Sequence, residues 1–196
     1  VTGVQTCARP IRAFSHRTRA IIVNNPQNPC GKVYTRDELL AISRLCQAHD
    51  ALAIGDEVYE HMVYDGGSHL TLLEIPGLED RSLVISSTAK TFSMTGWKVG
   101  YVTAAPKLIS TVAKAHQFLV FTTPPNLQRA VAYGLDQEQQ WYAQLGKNLQ
   151  AKRDLLEQGL RAVGFEVLPC HSTYFMNVDF RPLGFDTGDV EFCRYL

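Results

Sequence analysis

The sequence predicts an α/β protein: a mostly parallel sheet that leads through one long helix into a second, smaller and incomplete α+β domain. Three observations carry this. Short β-branched runs and a helical stretch follow one another as strand, helix, strand, an order that implies parallel pairing within one sheet. Each early strand stops at a polar cluster. A long polar–apolar pattern, residues 137–163, reads as a single extended helix ended by Gly164.

Arg19-Ala-Ile-Ile-Val-Asn24 is apolar, β-branched and halted by Asn-Pro, so it reads as a buried strand. Thr35-Arg-Asp-Glu38 has the spacing of a capping box and opens a helix with an apolar stripe of Leu39, Ile42, Leu45 and Cys46. Ala51 to Ile54, Ser82 to Ser86 and Lys98 to Thr103 are the next strands. Helical spacing returns at 107–121 and 126–135. After the long helix, Glu166 to Leu168 and Thr173 to Phe180 alternate as strands do.

Composition narrows the function. With 19 basic and 19 acidic residues among 196, the chain has no net charge and no basic block of the kind that nucleic acid or a membrane surface requires. Five scattered cysteines, without a Cys-x-x-Cys pair, suit a reducing compartment and argue against a disulfide framework or zinc site. A cytoplasmic protein acting on small molecules is expected, with no nucleic-acid or membrane partner. Residues 1–11 closely resemble the translation of a sequencing-library adapter, differing at Arg9, and are expected not to belong to the native protein.

In open α/β sheets, ligands bind outside the carboxyl ends of the strands. Three polar clusters lie there: Asn24 to Gly31, Asp56 to Tyr59 and Ser86 to Lys90. Within and beyond them, Asn25-Pro-Gln-Asn-Pro-Cys-Gly31, Asp56-Glu-Val-Tyr59, Ser87-Thr-Ala-Lys90 and Thr95-Gly-Trp-Lys-Val-Gly-Tyr101 resemble the ordered signature of class I and II aminotransferases of fold type I. The similarity is closest to the branch handling methionine, kynurenine, glutamine and aromatic amino acids. Four motifs in order are specific where one would not be.

The resemblance implies helices on both faces of the sheet, pyridoxal 5'-phosphate as cofactor, and a homodimer. Residues 12–140 become the cofactor-binding large domain, lacking its first part, and 141–196 the bridging helix and part of the small domain. By the same resemblance, Lys90 holds the cofactor as a Schiff base and later shuttles a proton. Asp56 pairs with the ring nitrogen, while Glu57 is a rival carboxylate that the family pattern passes over. Asn28 and Tyr59 hydrogen-bond the ring oxygen, and Ser87 and Lys98 bind the phosphate. Lys98 stands where many relatives carry arginine, which loses the bidentate fork. Trp97 reads as packing and His116 as structural; Ser172-Thr-Tyr-Phe175 resembles a strand bordering the substrate, without an assigned role.

Other readings compete. Ser87-x-x-Lys90 also spells the nucleophile motif of penicillin-binding proteins, but no Ser-Asp-Asn follows anywhere in the chain. A carbon–sulfur β-lyase uses the same lysine, aspartate and tyrosine, and some transcription regulators carry an aminotransferase-like sensor domain. The resemblance also implies that an upstream ring-stacking and phosphate-binding segment and a downstream carboxylate-binding arginine are missing, so that this chain alone is expected to be inactive.

Overall fold

A computed structural model describes residues 13–186 and 188–196, so the expectation for residues 1–11 lies outside the described part. Strands β1 (Ala20–Asn24), β2 (Leu52–Asp56) and β3 (Ser82–Ser87) pair in parallel, in chain order, and β4 (Gly100–Ala104) joins β3 antiparallel. Helix α1 (Arg36–Ala48) crosses between β1 and β2.

The start of α1 obeys its sequence. Thr35 Oγ1 accepts from the Glu38 amide at 3.3 Å, and the Glu38 carboxylate accepts from the Thr35 amide at 2.9 Å. Leu39, Ile42 and Cys46 then meet Val23, Ala53 and Val84 of the strands in one core, closed beneath by Leu72, Ile75 and Leu78. Ser43 is buried on the same helix face because its hydroxyl donates to the Pro76 carbonyl at 2.6 Å. Gly77 beside it has φ +85°, and a Cβ there would lie 2.1 Å from Gln47 Nε2, so the turn needs glycine. The opposite sheet face presents Ile22 and Ile85, 73% and 41% exposed.

Two expected strands begin or end elsewhere. β4 starts at Gly100 rather than Lys98, because Lys98 is left-handed (φ +57°) and closes a 3-10 turn over Thr95–Trp97. The alternating run from Thr173 pairs only at β6 (Val178–Asp179), against β5 (Glu166–Val167). Thr173 is itself left-handed (φ +67°), and this interrupts the extended backbone that alternation requires.

Helices α3 (Pro106–Leu119) and α4 (Pro125–Leu135) both open with proline, whose missing amide costs a first turn nothing. α5 (Gln139–Ala162) is the long helix, followed by Gly164 at φ +97°. It is tied back to the first half by Arg153, whose guanidinium donates to both carboxylate oxygens of Asp65, at 2.6 and 2.7 Å, and to the Cys170 carbonyl at 2.8 Å. The last helix, α6 (Asp189–Tyr195), stacks Phe192 on Phe180 with ring centroids 4.3 Å apart. Among the described residues, no helix is long and apolar enough to cross a membrane.

Candidate active site

Parallel register brings the ends of the first three strands level: Asn24 lies opposite Asp56, and Asp56 opposite Ile85, one residue before Ser86. The loops leaving β1 and β2 are joined there by a residue that motif reading passed over. Asn24 Nδ2 donates to the Asp56 carbonyl at 3.1 Å, and Asn24 Oδ1 accepts from the Asn28 amide at 2.7 Å. Its signal in the sequence was its place, the last residue of a strand running into a proline-bracketed loop. Asn25 anchors the same loop from within the core, 1% exposed, donating to the Leu70 carbonyl at 3.2 Å and accepting from the Tyr34 amide at 3.0 Å.

So held, Asn28 Nδ2 donates to the Tyr59 hydroxyl at 3.3 Å, which brings two of the expected site residues together. Tyr59 is 2% exposed, and its phenol is pushed above the ordinary tyrosine range. Burial is the main cause, with a further push from Tyr174; the hydrogen bond from Asn28 works against both.

The structure separates the two adjacent carboxylates. Glu57 is 1% exposed and turned into the protein, where it accepts from the Leu72 amide at 2.9 Å and meets His69 Nε2 at 2.8 Å. Asp56 is half-buried at the strand end, and among the described residues its carboxylate takes no hydrogen bond or ion pair. A carboxylate in that condition is available to a cationic ring nitrogen. Glu57, Glu60 and His69 also bring ligand atoms within 4.8 Å of one another. Those atoms are already engaged, Glu60 by the Ser86 hydroxyl at 2.5 Å and the Tyr101 hydroxyl at 3.3 Å.

Lys90 follows β3 directly, in the one-turn helix α2 (Thr88–Thr91). Ser87 caps that turn: its Oγ accepts from the Ala89 amide at 3.1 Å and donates to the Val99 carbonyl at 2.7 Å. Ser87 is thereby tied to the residue after Lys98, not to Lys98 itself, whose side chain is exposed. A non-glycine residue in the left-handed region costs about 1 kcal/mol, a strain found most often where position matters more than stability. Trp97 is 43% exposed and His116 lies exposed on α3, since the turn before β4 and the helix after it sit at the rim; neither packs as its sequence context suggested.

This donor set fits pyridoxal phosphate: an amine for the aldehyde, a free carboxylate for the ring nitrogen, two hydrogen-bonding groups for the ring oxygen, and a hydroxyl with an ammonium for the phosphate. Ser87 would have to redirect its proton from Val99 to the phosphate.

The model of the family "Aminotransferase class I and II" matches residues 5–196. Probable N-succinyldiaminopimelate aminotransferase DapC of Mycobacterium tuberculosis is 44% identical over 185 residues, 94% of this chain and 46% of the relative. Kynurenine–oxoglutarate transaminase 3 of Rattus norvegicus is 42% identical over 91% of this chain and 41% of its own length. Methionine aminotransferase of Escherichia coli is 38% identical over 93% and 47%. The solved structure of the M. tuberculosis N-succinyldiaminopimelate aminotransferase superposes with a TM-score of 0.93 at 43% identity, over 97% of this chain and 50% of that one. The chain thus spans about half the length of the relatives it matches.

Proposed function

Because this chain belongs to the class I and II aminotransferases, whose members have fold type I and use pyridoxal phosphate, we propose that it is the central part of an enzyme moving an amino group from an L-amino acid to a 2-oxo acid. The reading is supported most by the order at the carboxyl ends of three parallel strands: the Asn28–Tyr59 hydrogen bond joins the loops after β1 and β2, Asp56 ends β2, and Lys90 lies three residues after β3 ends. The donor class is methionine, kynurenine, glutamine or an aromatic amino acid, in keeping with the names of two of the relatives. The enzyme is proposed to work as a cytoplasmic homodimer.

When bound, the cofactor supplies an aldehyde that an amine can condense with and a ring that takes up electrons as a bond to hydrogen breaks. Lys90 would provide the amine that condenses with the aldehyde, and its Nζ, when free, would take the proton from the substrate α-carbon and hold it as an ammonium for return to a neighbouring carbon. The Asp56 carboxylate would keep a proton on the ring nitrogen, which makes electron uptake favourable. Asn28 and Tyr59 would hold the ring oxygen, and Ser87 and Lys98 would hold the phosphate.

The test uses the full-length protein. After loading with pyridoxal phosphate and reduction with borohydride, the peptide containing Lys90 should carry the cofactor, and Lys90→Ala should carry none. Asp56→Asn should still bind but slow a single turnover about a thousandfold, which corresponds to about 4 kcal/mol in the transition state. Labelling that survives Lys90→Ala, or an undiminished rate in Asp56→Asn, overturns the reading.

A further inference from the structure

The segment Ser172 to Phe175 takes no part in the chemistry above, yet the fold carries it to Lys90. Its backbone is pinned on both sides. Thr173 is fully buried, its amide donates to the Met62 carbonyl at 3.0 Å, and its carbonyl accepts from the Tyr64 hydroxyl. Ser172 bridges to Val63, and the preceding His171 amide donates to the Gly31 carbonyl at 3.0 Å. The segment is thereby fastened both to the loop after Tyr59 and to the loop that carries Asn28.

Tyr174 projects from this fixed backbone. Its ring stands edge-on to Tyr59 with centroids 5.5 Å apart, and Lys90 Nζ lies 5.7 Å from its ring centroid. Both the Lys90 ammonium and the Tyr59 hydroxyl are near enough to act electrostatically on its phenol. A continuous line therefore runs Asn28, Tyr59, Tyr174, Lys90, with the Tyr174 ring beside the nitrogen that is proposed to react.

We propose that Tyr174 is a positioning residue for Lys90: its phenol oxygen accepts hydrogens from the Lys90 nitrogen and the Tyr59 hydroxyl, and holds that nitrogen at the mouth of the site whenever it is not covalently engaged. The inference rests on the reading of Lys90 as the reacting amine. A lysine stem has four rotatable bonds, and a nitrogen released in each cycle loses its attacking position unless something receives it. Tyr174 and Tyr59 divide the labour between them. Burial raises the Tyr174 phenol, but Lys90 and Tyr59 together outweigh it and bring the phenol below the ordinary tyrosine range. Tyr59 moves the opposite way, raised first by burial and then by Tyr174. One phenol is an acceptor and its neighbour a donor, which is the polarity needed to receive an ammonium. The titratable groups acting on the pair are Lys90 on Tyr174 and, more remotely, Asp56 on Tyr59.

The experiment uses the full-length protein without cofactor, so its outcome does not depend on transamination. With tyrosine rings isotope-labelled for NMR, Lys90→Met should move Tyr174 ionisation to higher pH, since it removes the charge and keeps the stem. Tyr174→Phe should make the Lys90 amine react about threefold faster with acetic anhydride, read by mass spectrometry of the Lys90 peptide; a hydrogen bond to a charged group is worth more, but half-exposure screens it. Tyr174 ionisation that ignores Lys90→Met overturns the proposal. So does an unchanged Lys90 reactivity in Tyr174→Phe, or a change that appears only in Tyr174→Leu, which would assign the contact to the ring face instead of the hydroxyl. The borohydride test above can fail or succeed independently of these outcomes.

Discussion

The sheet with α1 and the helices α3 to α5 put similar apolar patterns to different uses. Around the strands, Leu39, Cys46, Ala53, Leu72, Ile75 and Leu78 have no exposed surface at all. In α3 to α5 only Val131 and Tyr142 are buried, while Phe118, Leu119 and Phe121 are 86, 82 and 79% exposed and Tyr133 is 76% exposed. Both regions formed the helices their periodicity dictates. What differs is what lies opposite: α1 faces a sheet of its own chain, whereas the apolar end of α3 faces nothing among the described residues. Apolar side chains exposed together in this way mark a surface that another part of the protein or a partner covers. Periodicity makes a helix, but only a partner surface turns its stripe into a core.

Five substitutions break or sharpen this contrast, taken from the largest expected loss downwards, with Phe118→Ala as the counterpart of Leu39→Ala. The largest is expected at His69→Ala, which leaves the buried Glu57 carboxylate without its 2.8 Å partner and opens a hole where the ring stood; the under-satisfied carboxylate and the cavity together cost about 3–5 kcal/mol in urea unfolding. Leu39→Ala should cost about 3 kcal/mol, while Phe118→Ala should change the stability of a monomer by less than about 0.5 kcal/mol. A Phe118→Ala loss as large as that of Leu39→Ala would erase the distinction between the regions. Thr35→Ala removes the side-chain half of the capping box, leaving the backbone amide of residue 35 on the Glu38 carboxylate, and should cost about 1 kcal/mol, measured by thermal unfolding.

A further small effect, dependent on pH, is at the join between the regions. Hydrogen bonds from Arg153 hold the Asp65 carboxyl below the ordinary aspartate range, against a small opposing effect of burial. A depressed folded-state value means that the stabilisation is fully present above the unfolded aspartate value, about 3.9, and disappears as pH falls through the folded one. With Asp65 45% exposed, solvent screening limits it to about 1 kcal/mol or less. Urea midpoints of the parent and Arg153→Met should therefore differ slightly at neutral pH and converge in strong acid. A gap that persists in acid would assign the loss to packing of the Arg153 stem against Tyr64 instead.

Much of the molecule was legible in the chain because its signals are local. The capping box at Thr35, the strands ending at Asn24 and Asp56, the long helix and the four ordered motifs each depend on residues within a few positions of one another. The left-handed turns at Lys98 and Thr173 were not legible, and they shortened two strands, since neither residue type favours that backbone on its own. Trp97 and His116 were misjudged because exposure depends on what folds over a residue.

By itself, then, the sequence determined the elements, their parallel order and the residue types gathered at the strand ends, since propensity, capping and strand–helix alternation act over short stretches of chain. Only the tertiary structure decided that Glu57 turns inward to His69 while Asp56 stays free, that Asn24 ties two loops together, and that Tyr174, 84 residues beyond Lys90, arrives beside its amine. Those choices are made by distant backbones meeting, through Thr173 on Met62 and His171 on Gly31, and no spacing along the chain encodes a contact of that kind.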